Sequence, residues 1–160
     1  MKTKAEQAVE VFKNNYNCAQ SVLSVFAEES GITKDTALKI ANPFGAGIAY
    51  MQQCCGAVSG ALMAIGLKYG KGENGSDEDK KNAYDKSKTF ISEFKKVHKT
   101  VCCRELLDNI DMNSEEGMAK ILELDLFRLH CANYIMDAVK ITEKILKNEM
   151  SIPKFREQPK

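Results

Sequence analysis

The chain has 160 residues, 44% of them hydrophobic, with 23 lysines and arginines against 22 aspartates and glutamates. That length suits one domain with a proper core rather than two large domains, and the balanced charge gives no electrostatic footing for nucleic acid or an anionic membrane. The opening Met1-Lys2-Thr3-Lys4-Ala5-Glu6 has no apolar signal core, so a cytoplasmic location is expected, where 6 cysteines point to metal or redox chemistry rather than a disulfide framework.

Ala5, Ala8, Val9 and Phe12 recur at helical spacing and predict a first amphipathic helix that ends near Asn14-Asn15. Asn17 is a good cap for a second helix, expected from Cys18 through Phe26 to about Ser30 and stopped by Gly31. Thr33 can cap a third, carrying Ala37, Leu38 and Ala41, which Pro43 ends because it has no backbone donor and restricts Asn42. Pro43 to Gly47 then reads as a glycine-rich loop, usually only a turn, with room for a bound group to approach.

From Gln52 to Tyr69 the chain reads as one buried helix, with Gly56, Ala57, Gly60, Ala61 and Ala64 at three- and four-residue spacing along one side. Each glycine inside a helix costs about 1 kcal/mol relative to alanine, so close packing of a neighbouring backbone must offset them. A membrane span is the competing reading, but spanning takes about 20 apolar residues, and Gln52, Gln53, Lys68 and Lys71 bracket this stretch.

After the polar connection Gly70–Gly75, Ser76 and Asp79 resemble a capping pair for a helix from Asp77 to His98. Its stripe is Ala83, Tyr84, Ser87, Phe90, Ile91, Phe94 and Val97. Thr100 should cap a short helix with Cys102 and Cys103 in its first turn. Ser114 should cap a weak piece through Leu124, and a long helix is expected from Leu126 to Glu149 with Cys131 on its apolar stripe. Residues 1–150 form one expected domain and 151–160 a loose tail. No run alternates like a strand, so the fold class is all-α, a bundle of about five to seven helices around the glycine- and alanine-rich one.

The stretches Asn17-Cys18-Ala19-Gln20-Ser21-Val22, Cys55-Gly56-Ala57-Val58-Ser59-Gly60, Cys103-Arg104-Glu105-Leu106-Leu107 and Phe127-Arg128 with Cys131 resemble, in this order, the four-cysteine redox family C_GCAxxG_C_C. The resemblance spans nearly the whole chain, puts the family cysteines on Cys18, Cys55, Cys103 and Cys131, and implies redox activity. The iron–sulfur portion of split-Soret cytochromes is similar to this family, which implies that four such cysteines can hold a two-iron, two-sulfur cluster. No Cys-x-x-Cys-His occurs for covalent haem.

Cys18, Cys55 and Cys103 fall at or near predicted helix starts, where backbone donors favour a thiolate. The four positions lie far apart in sequence, unlike the local Cys-x-x-Cys pairs of a zinc finger, whereas an iron–sulfur cluster needs only four thiolates brought together by the fold. That is the preferred reading. A thiol/disulfide oxidoreductase on the same cysteines, a zinc site, and a helical interaction module whose cysteines only pack are the alternatives.

Cys54 and Cys102 each precede a family cysteine; one member of each doublet is expected to face the site and the other away. His98 and His130 are candidate extra ligands or proton carriers, more ordinarily structural. Arg104 and Arg128 either pair with surface carboxylates or offset a thiolate site. With no phosphate loop, nucleophile elbow or nucleotide fingerprint, an electron-exchanging protein partner is expected, and a homodimer is open.

Overall fold

Small polar side chains start most of the helices. Thr3 begins α1 (Lys4–Lys13), its hydroxyl accepting from the Glu6 N–H while the Glu6 carboxylate accepts from the Thr3 N–H. Asn17 and Gln20 make the same reciprocal cap on α2 (Cys18–Ser24), and Thr33 caps α3 (Lys34–Ala41). After the single turn α4 (Gly45–Ile48) and the uncapped α5 (Gly56–Tyr69), Ser76 and Asp79 box the start of α6 (Asp77–His98). The turn α7 (Cys103–Leu106), α8 (Glu115–Glu123, capped by Ser114) and α9 (Ala132–Leu146) complete the order. Such caps contribute about 1 kcal/mol each. The structure, a computed structural model, describes residues 1–151; the tail expected over 151–160 lies, apart from Ser151, outside the described residues.

The fold is all-α and a single domain, as expected. Its seven longer helices are α1, α2, α3, α5, α6, α8 and α9, and no strand is present among the described residues. None of these helices is long and apolar enough to cross a membrane. The central helix α5 packs on α2, α6 and α9, with α1 laid across α2 and α9. Its small residues do what their spacing suggests: a Cβ on Gly60 would stand 2.6 Å from the Ala19 carbonyl oxygen, and one on Gly56 would stand 3.0 Å from the Cys18 Cβ. The backbones of α2 and α5 meet there. Phe26, Phe90, Phe94, Leu23, Ile65 and Ile135 fill the main core, while Leu107, Met112, Ile121 and Leu126 form a smaller one with Cys103 and Cys131.

Several expected boundaries differ. The second helix stops at Ser24, where Ser21 and Ser24 hydroxyls donate to the Asn17 and Ser21 carbonyls and so compete with the helical ladder; a 3₁₀ turn, Glu28–Ser30, follows before Gly31. The central helix begins at Gly56 and not Gln52, because residues 52–55 pair with 101–104 through Cys55 N–H to Val101 O, Cys103 N–H to Gln53 O and Arg104 N–H to Gln52 O. For the same reason Cys102 is the cap residue of α7 and lies outside it. On α6, Ala83, Phe90 and Phe94 are buried but Tyr84 and Val97 are exposed. Lys86, one turn before Phe90, is buried instead, over the Tyr69 ring and donating to Asn148. The last helix is entered through a π-helical turn, Phe127–Cys131.

Candidate four-thiol centre

Four separate elements each deliver one thiol. Cys18 is the first residue of α2, held by the Asn17 and Gln20 cap, and Gln20 also donates to Leu38 O while Asn17 donates to Asn42 O. Cys55 immediately precedes α5, and Cys103 opens α7. Cys131 closes the π-helical turn before α9; such turns are rare and recur at functional sites. All four line one partly open cavity of about 520 Å³, whose other walls are largely apolar: Phe12, Leu106, Leu107, Met112, Phe127 and the Tyr134 ring. Lys13, Tyr16, Tyr50, Asp125 and Arg128 also line it. Tyr16 and Tyr50 are exposed, and Arg128 pairs with Asp125.

The electrostatics run against the expectation of easily ionised thiols. A hydrogen bond shared with Cys131, followed by burial and the charge of Cys131, drives the Cys18 thiol well above the ordinary range. Burial and then Cys18 do the same to Cys55, outweighing the Ala57 and Val58 backbone donors that favour its thiolate. Cys103 is pushed up to about 12 by burial and then by Cys18, Cys102 and Cys54. Helix starts do supply donors, but desolvation and mutual repulsion win. As free residues, Cys18, Cys55 and Cys103 therefore stay protonated and poorly nucleophilic at neutral pH. Burial also lifts Tyr134 to about 12, helped by Cys131 and Cys55; its hydroxyl donates to Leu106 O at 2.8 Å and ties α9 to α7.

Cysteines 18, 55, 103 and 131 are thus gathered, and all 6 cysteines are free thiols. Among the described residues, no three His, Cys, Asp or Glu side chains are placed to hold a single metal ion. Neither histidine lines the cavity. His98 lies 3.0 Å from Asp137 between the Phe94 and Tyr134 rings, a structural clamp. His130 packs its ring toward Tyr134, with a buried Nδ1 that has no hydrogen-bond partner.

Residues 16–145 match the model of the family described as "Putative redox-active protein (C_GCAxxG_C_C)". The chain belongs to that family. No curated protein and no solved structure matches it.

In this member of the C_GCAxxG_C_C family, the two glycines of the core motif are the points at which α5 touches α2, so that Cys18 and Cys55 are brought together by packing. The doublets divide by extended-chain alternation, not helical rotation: Cys55 and Cys103 line the cavity, Cys54 and Cys102 do not. Gln52 was not expected to matter. It is buried, donates to Ile110 O at 2.9 Å and accepts from Met112 N–H at 2.9 Å and Arg104 at 3.4 Å, stitching the segment after α7 to the cavity wall. Arg104 also reaches Asn109 O and Asp111, so its charge serves this loop. Two glutamines close beside cysteines, Gln20 three residues after Asn17 and Gln52 before the Cys54-Cys55 doublet, were the available signals. The first has capping-box spacing.

Proposed function

We propose that the protein is an electron carrier or redox sensor whose four cavity thiols, Cys18, Cys55, Cys103 and Cys131, hold an iron–sulfur cluster. The observation that carries this is the convergence of thiols from four separate elements on one apolar cavity. The protonated state of Cys18, Cys55 and Cys103 as free residues supports it further: such thiols are poor nucleophiles, whereas bound iron would deprotonate them and offset their combined charge. The donor set, four thiols from four elements lining one cavity, is of the kind an iron–sulfur cluster takes. The resemblance of this family to the iron–sulfur portion of split-Soret cytochromes would favour a two-iron, two-sulfur form. When bound, such a cluster supplies one-electron chemistry with a potential tuned by burial and hydrogen bonds.

The chain's own residues set those conditions. Phe12, Leu106, Leu107, Met112 and Phe127 limit water, and the Ala57 and Val58 N–H groups at the start of α5 favour negative charge on the Cys55 sulfur. The rim at Tyr16, Tyr50, Lys13 and Arg128 is where a protein redox partner, or a second copy of the chain, would approach. Protein purified without oxygen is expected to be brown, with iron and acid-labile sulfide in equal amounts and no zinc. Colourless protein with neither iron nor sulfide, whose cavity thiols instead interconvert with a disulfide at a measurable potential, would replace this reading with a thiol/disulfide oxidoreductase.

A further inference from the structure

Cys54 and Cys102, left over by the cavity, face each other across an isolated antiparallel bridge. The two backbone bonds of that bridge, Cys55 N–H to Val101 O at 2.8 Å and Cys103 N–H to Gln53 O at 2.6 Å, flank the pair and do not join it. Cys54 and Cys102 are therefore a non-hydrogen-bonded pair, the arrangement in which opposed Cα atoms lie closest, about 4.5 Å apart, with their side chains on the same side. Disulfides accept Cα separations of about 4.4–6.8 Å, so the backbone already stands within bonding range. Both side chains are part-exposed, and both are free thiols. Their present contacts are long ones to sulfur, Cys102 to Gln52 O at 3.5 Å and Cys54 to Cys55 O at 3.8 Å, and hold neither thiol in place.

We propose that Cys54 and Cys102 form a second redox site, a dithiol that closes reversibly into a cross-strand disulfide by exchange with a low-molecular-weight disulfide of the glutathione type. The thiolate of one cysteine attacks a sulfur of the small disulfide, breaking its S–S bond and releasing one small thiol. The second cysteine then attacks the mixed disulfide and releases the other. One S–S bond is broken and one formed, the two cysteines lose two electrons, and their two protons leave on the two small thiols. A bond at the short end of the Cα range is among the more readily reduced ones, which suits a reversible switch over a permanent staple. Its position gives it a consequence. Cys55 and Cys103 follow directly in the two chain segments that the bond would join, so closure fixes two of the four cavity thiols relative to each other.

The test does not involve the cavity's occupant. Metal-free wild-type protein is equilibrated anaerobically with mixtures of reduced and oxidised glutathione, quenched with acid, alkylated and mapped by tandem mass spectrometry. The expected result is one intramolecular link, Cys54 to Cys102, with loss of two hydrogens and full reversal in excess reduced glutathione. The link persists in a Cys18→Ser/Cys131→Ser variant, and Cys54→Ser and Cys102→Ser each carry one glutathione instead. The wild-type map decides by itself if a variant fails to fold. A map that links Cys55 to Cys103 or Cys18 to Cys131 while Cys54 and Cys102 are alkylated overturns the proposal, as does full alkylation of both in the most oxidising mixture.

Discussion

The helical core and the cavity wall solve the same packing problem in opposite ways. Around α5 the backbone is regular and contacts are between apolar side chains. The wall facing Cys103 is made by residues 46–52, where Ala46, Gly47, Ile48, Ala49 and Tyr50 all have positive φ between 47° and 68°. Left-handed geometry costs roughly 1–2 kcal/mol per non-glycine residue. Here it is offset by backbone bonds such as Ala49 N–H to Pro43 O and Gln53 N–H to Gly47 O, and by the anchoring of Gln52. Gly47 is required twice over, since a Cβ there would stand 2.6 Å from the Cys103 Cβ. Strain of this kind gathers where a structure must hold functional groups. The core gives stability, and the wall gives position.

The sharpest way to separate the two regions is a pair of cysteine substitutions. Cys55→Ser should abolish bound iron and sulfide, because serine keeps the shape without the soft thiolate, while Cys54→Ser should leave both in place; metal analysis of the two anaerobic preparations checks this. Loss with Cys54 and retention without Cys55 would move the motif by one position. Next in size, Gly60→Val drives a side chain into the Ala19 carbonyl. Overpacking of this kind typically costs about 1–3 kcal/mol, and a chain of this size loses about 2–4 °C of melting temperature per kcal/mol. The expected fall should appear in the metal-free protein too, since it belongs to the core.

Gln52→Ala reaches the wall alone. It leaves the Ile110 carbonyl and the Met112 N–H without their partner, at roughly 1–3 kcal/mol, and hydrogen exchange should quicken in residues 104–112 while α5 stays protected. The smallest effects are in pH. In the metal-free protein the raised thiols, Cys103 at about 12 among them, keep protons that the unfolded chain sheds near about 8.5. Stability is then complete below that value and falls as pH rises. The opposite limb belongs to the helix caps: the Thr3 N–H holds Glu6, and the Ser76 N–H holds Asp79, below the ordinary carboxylate range. Their contribution is present above about pH 4 and is lost on acidification. Cys18→Ser with Cys103→Ser should flatten the alkaline limb, and Glu6→Gln with Asp79→Asn the acid one, in thermal melts across pH.

What was legible in the sequence divides along the same line. Asn17, Thr33, Ser76 and Ser114 announced their helices through local chemistry, and the small-residue spacing of Gly56 and Gly60 announced a close neighbour, because both signals lie within a few residues of what they determine. The start of α5 and the place of Cys102 differ from what the sequence predicts. Nothing local stops the helix at Gln52–Cys55, and only a pairing with residues 101–104, far along the chain, takes that stretch out of it. The left-handed run at 46–50 has a single glycine to mark it, at Gly47. The direction of the Cys18, Cys55 and Cys103 shifts likewise runs against the sequence-based expectation, since helix starts are visible in a sequence and the burial of one thiol beside another is not.

The central claim is that cysteines 18, 55, 103 and 131 act as one centre. Differential alkylation, comparing metal-free protein with protein reconstituted anaerobically with iron and sulfide, tests it most directly. After unfolding of the metal-free protein all 6 cysteines are labelled. In the folded, reconstituted protein Cys18, Cys55, Cys103 and Cys131 should be protected together while Cys54 and Cys102 still react. Protection of Cys54 or Cys102 in place of a cavity cysteine, or reconstitution that protects none of the four, would contradict the account.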